Sequence, residues 1–248
     1  MFRIIRISLF ALALTLASLS VNAETYAVII GISSYPDMPL LLCENDANSM
    51  YKLYSKKTTH IVKLLSSQAT CASIIRETKR MYSQAKEDDM VVFYFSGHGY
   101  PGGICPYDIG YVDYQIVNGI TYEDIAAIMR LCPAKKKIIF ADACYSGGLR
   151  SAANSPHTSK ISDSNVLLFL ASRDNETSIE MPLFMDNGLF TAALYRGLTG
   201  GADTNRNKVI TAKELFIYVN GNVRNINEEQ HPVMYGHFDD NFIIFDWR

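Results

Sequence analysis

The chain has little positive charge to spare, no basic run and no long apolar segment. Lys and Arg number 23 against 25 Asp and Glu, a net charge of −2, so no electrostatic footprint for nucleic acid is present. The longest apolar stretch, Ile7 to about Ser18, falls short of the ~20 residues that cross a bilayer, which argues against a permanent anchor. No Gly-x-Ser-x-Gly turn occurs, which sets aside the serine hydrolases built on that elbow. Internal repeats and low-complexity tracts are also missing.

What the N-terminus does carry is Arg3 and Arg6, then the apolar stretch, then Val21-Asn22-Ala23 before Glu24. That order is expected of a cleavable secretory signal over residues 1–23, delivering the mature chain to a periplasm or to the outside with no stable membrane anchor. No cysteine follows the expected cut, so lipid attachment there is not indicated. Cleavage leaves 248 − 23 = 225 residues and a charge of 21 − 25 = −4. A chain of that length fits one α/β domain with a sizeable core. Its five cysteines, Cys43, Cys71, Cys105, Cys132 and Cys144, allow at most two disulfides and leave one thiol over. The pairing stays open at this point.

Apolar runs alternate with helical patterns along the mature chain. Strands are expected near 25–32, 59–65, 90–96, 136–142, 165–171 and 241–246, and helices near 44–55, 70–86, 121–130, 187–198 and 211–223. Repeated strand–helix units predict a mostly parallel central sheet with helices on both faces, a three-layer α/β sandwich. Two stretches, 99–119 and 147–165, read as long irregular loops. Loops of that length inside a compact domain are uncommon unless functional.

Two residues stand out against this frame. His98 lies in Tyr-Phe-Ser-Gly-His-Gly-Tyr and Cys144 in Asp-Ala-Cys-Tyr-Ser-Gly-Gly, each at the carboxyl end of a predicted buried strand. In an open α/β sheet those ends line one crevice, so residues 144 − 98 = 46 apart can face each other there. A thiol near neutral pH is only a few per cent thiolate; a neighbouring imidazole raises that fraction and later protonates a departing amine. His60, His157, His231 and His237 have no comparable glycine-flanked strand end. Asp142, two residues before Cys144 on a strand, shares its side of the sheet and can pair with a cationic substrate group.

Ser-Gly-His-Gly at one strand end and Asp-x-Cys at the next resemble the caspase-type cysteine peptidases, most closely the metacaspases and their bacterial relatives. True caspases carry Gln-Ala-Cys-x-Gly, so their aspartate specificity is not carried over. Tyr26 to Ile32, Leu42 to Ala47, Cys105 to Asp108, Gly188 to Thr191 and Gln230 to Pro232 fit the same family, and the likeness spans essentially the whole mature chain. It implies a caspase-like domain over 24–248, with a large segment about 24–148, a linker about 149–164 and a small segment about 165–248. If the preference is for basic residues, Arg150 and Lys160 in that linker are candidate self-cleavage points; the other reading of the linker is an ordinary surface loop. The resemblance further implies Cys144 as nucleophile, His98 as base and the backbone N–H groups of Gly99 and Cys144 as oxyanion donors. Asp142, Asp46, Cys43 and Ser96 then form a pocket for arginine or lysine, so the expected partners are proteins or peptides with basic residues. A second reading of Asp46 is a helix N-terminal acid favoured by the helix dipole.

No cofactor is expected to be required. Calcium is the one activator considered, because Asp203, Asn205, Asn207, Thr211 and Glu214 follow a calcium-loop spacing, although Lys208 stands where that loop wants glycine. Thr211 and Glu214 equally fit a helix capping box, the favoured reading. Two functional alternatives stay open: a catalytically silent caspase-like binding module, and a same-fold peptidase with non-basic specificity.

Overall fold

The computed structural model describes residues 23–144, 166–173, 186–236, 239 and 241–248. The expected signal up to residue 22, the linker with Arg150 and Lys160, and His157 and His237 lie outside the described residues.

A six-stranded sheet forms the centre. Strands β1 (Thr25–Gly31), β2 (Ile61–Leu65) and β3 (Met90–Ser96) come from the first half of the chain. Strands β9 (Lys136–Asp142), β10 (Val166–Leu170) and β12 (Val233–Tyr235) come from the second. Their order is β12-β10-β9-β3-β1-β2, parallel throughout except for the β10–β12 pair. Parallel strands covered on both faces must be apolar on both faces, and these are near-continuous runs of Val, Ile, Leu and Phe. Helices α2 (Cys71–Tyr82) and α3 (Tyr122–Leu131) cover one face, packing on Val28, Ile30, Phe93, Phe95 and Leu168. Helices α1 (Cys43–Tyr54), α4 (Leu189–Arg196) and α5 (Ala212–Ile226) cover the other, on Ala27, Ile29, Tyr94, Phe140 and Phe169. Phe169 is fully buried between Phe140 and Phe216. Truncating such a side chain to alanine costs about 3–5 kcal/mol.

Local chemistry sets the helix starts. Thr70, Thr121 and Thr211 each accept a hydrogen bond from a backbone N–H in the first turn. Asp124 and Glu214 complete capping boxes by reaching back to Thr121 and Thr211. Gly31, at the end of β1, permits a close approach: a Cβ there would sit 2.3 Å from the Cys43 carbonyl and 2.6 Å from the Ala47 Cβ.

The stretch 99–119 is not an irregular loop. Strands β4 (Gly99–Tyr100), β5 (Gly103–Ile104) and β8 (Ile120–Thr121) form a small antiparallel sheet. Strands β6 (Gly110–Val112) and β7 (Gln115–Val117) form a hairpin turning through Asp113 and Tyr114, both at positive φ. Strands of two or three residues are too short for alternation to reveal them in sequence. The last strand, β13 (Ile243–Asp246), pairs antiparallel with β11 (Val209–Thr211) outside the central sheet, and β12 takes the edge position.

Candidate active site

The register of the sheet brings the singled-out residues together. Ser96 pairs directly with Asp142 across β3 and β9. His98 and Cys144 each lie two residues beyond that pair, so the two candidates for chemistry emerge side by side just past the carboxyl ends of neighbouring strands. Cys144, His98, Asp142, Asp46, Cys43 and Ser96 all line one cleft, together with Leu40, Gly97, Ala143 and Gly188. Gly99 lies behind it with its backbone against Cys144; a Cβ at Gly99 would fall 2.2 Å from the Cys144 carbonyl oxygen.

Two carboxylates form the floor. Asp46 projects from the first turn of α1, where an acidic residue suits the helix dipole, yet the bonds its side chain makes belong to the cleft. Its Oδ1 accepts from the Asn187 side-chain amide at 3.0 Å and from the Gly188 N–H at 2.9 Å. Its Oδ2 accepts from the Ser96 hydroxyl at 2.8 Å. Asp142 Oδ2 accepts from the Thr191 N–H at 3.2 Å and the Thr191 hydroxyl at 2.7 Å. Because the single Thr191 proton goes to Asp142, the Tyr94 hydroxyl, 2.6 Å from Thr191 Oγ1, must donate to it. A buried chain Tyr94 to Thr191 to Asp142 results.

Burial and the neighbouring Asp142 charge push the Asp46 carboxyl from 3.8 up to about 7, against the lowering effect of its hydrogen-bond donors. The pair therefore retains a shared proton to higher pH than an ordinary carboxylate would, and is about half protonated near pH 7. Gly188 leaves the space a cation would need: a Cβ there would stand 3.1 Å from Oδ2 of both Asp46 and Asp142.

Above the floor, His98 is held from the loop that follows β1. Its Nε2 lies 2.7 Å from the Met38 carbonyl oxygen, which can only accept, so Nε2 carries the proton and Nδ1 is the basic nitrogen of the neutral ring. Its backbone N–H donates to the Tyr35 hydroxyl at 3.1 Å, and the Tyr35 ring lies against the imidazole with centroids 4.7 Å apart. The Tyr35 hydroxyl donates in turn to the Cys105 carbonyl at 2.7 Å. All five cysteines are free thiols, and Cys144 is half-buried. Burial, and secondarily Cys144, push the Cys105 thiol up to about 12, leaving it unreactive.

Sequence reasoning missed Met38, Tyr35, Asn187, Gly188 and Thr191 as contributors. Gly188 and Thr191 stood in the family-like Gly188 to Thr191 stretch, which was the available signal; Met38 contributes a carbonyl, which no residue type announces.

Residues 203–214 form a polar turn leading into α5, with Thr211 and Glu214 making the capping box. Asn205 turns its side-chain N–H toward Glu214, Thr204 also donates to Glu214, and Asp203 accepts the N–H groups of Asn207 and Lys208. Lys208 takes φ 64°, the left-handed conformation that favours glycine. Among the described residues no group of three or more His, Cys, Asp or Glu is placed to hold a metal ion.

The model of one protein family, peptidase C14, described as a caspase domain, matches residues 24–243. No curated protein matches the sequence significantly. Among solved structures the chain is similar to protein GSU0716 from Geobacter sulfurreducens. The two share 17% identity over 90% of this chain and 98% of that one, with a TM-score of 0.68. An identity that low carries the fold alone.

Proposed function

The chain belongs to the caspase-domain peptidase family, and from that premise we propose that it is an exported cysteine endopeptidase cutting after arginine or lysine. The observation that carries this reading is the sharing of one cleft by Cys144 and His98, just past the ends of adjacent strands, and two buried carboxylates, Asp142 from β9 and Asp46 from α1. Export rests on the signal-like N-terminus over residues 1–23.

In this mechanism the basic side chain of the substrate enters between Asp46 and Asp142 and displaces the proton they hold. Two charge-assisted contacts in a site shielded from water then position the bond that follows. His98 Nδ1 takes the Cys144 proton, and the thiolate attacks the carbonyl carbon. The N–H groups of Gly99 and Cys144 face the developing oxyanion. Collapse breaks the C–N bond as the imidazolium gives its proton to the departing amine, leaving a thioester on Cys144. Water activated by His98 hydrolyses that ester and frees the thiol. The Met38 carbonyl supports the imidazolium by accepting from Nε2 throughout.

Hydrolysis of fluorogenic peptides ending in Arg, Lys, Asp or Asn by residues 24–248, with and without calcium, tests the reading. Cleavage after Arg or Lys that vanishes in Cys144→Ala, with an unchanged circular dichroism spectrum, is expected. Full activity in Cys144→Ala refutes the mechanism. No cleavage by the wild type, even after nicking between 147 and 165, gives the chain to the binding-module class instead.

A further inference from the structure

The loop that holds His98 also presents apolar side chains to solvent. Met38 is 67% exposed and Leu41 66%, while Leu40 between them lines the cleft. Exposed apolar groups on a slack loop mean little, but this loop is fixed. Its start is tied by the N–H groups of Ser33 and Ser34 to the Ser66 hydroxyl, at 3.2 and 3.0 Å. Its middle is tied through Tyr35 to Cys105 and His98, and its end by the Leu40 N–H to the Ser33 carbonyl at 2.8 Å. Pro36 and Pro39 bracket Asp37 and Met38 and restrict the backbone further. An ordered loop carrying two exposed large apolar side chains loses little entropy when something covers them.

Position identifies the occupant. The acyl side of the substrate is fixed by the carboxylate pair, and the departing amine must lie at His98, which protonates it. The main-chain carbonyl of Met38 accepts from the far nitrogen of that same imidazole, which places residue 38 beside it. The residue following the scissile bond is therefore the part of a substrate that comes nearest to Met38.

We propose that Met38 and Leu41 form an apolar subsite for the substrate side chain immediately after the cut bond, next to the loop carbonyl that holds His98. The subsite rests on the peptidase reading above. Leucine there covers apolar surface that serine leaves wet, and Asp37, exposed beside Met38, adds repulsion against glutamate.

The test uses internally quenched peptides identical up to an arginine and followed by leucine, serine or glutamate, beside an arginyl aminocoumarin substrate that has no residue after the bond. Wild-type protein is expected to favour leucine over serine by about tenfold in kcat/KM, with glutamate poorest. In the double variant Met38→Ser, Leu41→Ser the leucine-to-serine ratio should fall to within about twofold. Each ratio is taken within one protein, so a loss common to all substrates cancels. Equal rates for leucine and serine in the wild type, or an unchanged ratio in the double variant, overturn the subsite. So does sedimentation showing that the double substitution merely dissolves a dimer, which assigns the rim to a second copy. Failure to cleave the aminocoumarin substrate refutes the peptidase reading itself, and the subsite falls with it.

Discussion

The floor of the cleft and its rim are built on opposite terms. On the floor, five hydrogen bonds from β3, the residues at the start of α4 and α4 itself converge on two buried carboxylates. At the rim, His98 and Cys144 are half-buried, and the imidazole is oriented by one carbonyl and one aromatic ring. On the proposed reading, the difference separates recognition from chemistry. A cation must be met by charges that cannot relax, because any carboxylate movement weakens the pair. A nucleophile and its base must be reachable from solvent and able to adjust between successive steps.

Filling the floor should produce the largest break in this contrast. Gly188→Ala is compatible with the local backbone, φ −54° and ψ 149°, yet places a methyl 3.1 Å from both carboxylates. A fall of about 100-fold in kcat/KM for arginine peptides is expected, with little change in the rate of Cys144 alkylation by a small uncharged reagent. Equal losses in both measurements would mean that floor and rim are not separable.

A pH series sharpens the same contrast. With Asp46 held near 7 against 3.8, the folded protein keeps a proton that the unfolded chain gives up. That stabilisation is complete below about 4 and lost as pH rises through about 7. Bound cation draws the same proton off, so KM for arginine peptides should rise roughly tenfold for each unit the pH drops below about 7 and level off above it. Asp46→Asn should flatten that limb while leaving the pH dependence of kcat, which reports the rim. KM for the wild type independent of pH between 5 and 8 would contradict the shared proton.

The smallest effect is expected from Thr191→Val, which removes a donor from Asp142 and an acceptor from the Tyr94 hydroxyl. Stability should drop by about 1–3 kcal/mol, read by urea unfolding, with only about threefold loss in KM for basic peptides. An unchanged midpoint would show that water replaces the threonine.

How far the sequence foretold this architecture depended on segment length. Five of the six central strands and five helices were legible because each is a run with one hydrophobic period, as in Met90 to Ser96 or the spacing of Ile74, Thr78 and Met81, whereas the three-residue edge strand β12 was missed and 241–246 pairs outside the central sheet. Placement of the cleft followed, since strand ends in a parallel sheet share an edge. The short strands between Gly99 and Thr121 were not legible, because Tyr100 packs over Gly103 and Gly119 in contacts that leave no periodic trace. Nor were Asn187 and Thr191, whose roles arise only once α4 docks beside α1. Asp46 occupies a helix start and also lines the cleft, so one position serves both placements the sequence suggested.

The close approach at Gly31 reaches further than its own strand. Helix α1 rests directly on that backbone, and α1 carries Asp46, whereas Asp142 belongs to β9. The gap between the two acids is thus gauged by a methyl group missing from a residue that touches neither of them. Any side chain at position 31 must shift the helix and with it Asp46, so the spacing of the two acids is inherited from the thickness of the packing beneath α1 as much as from the acids themselves.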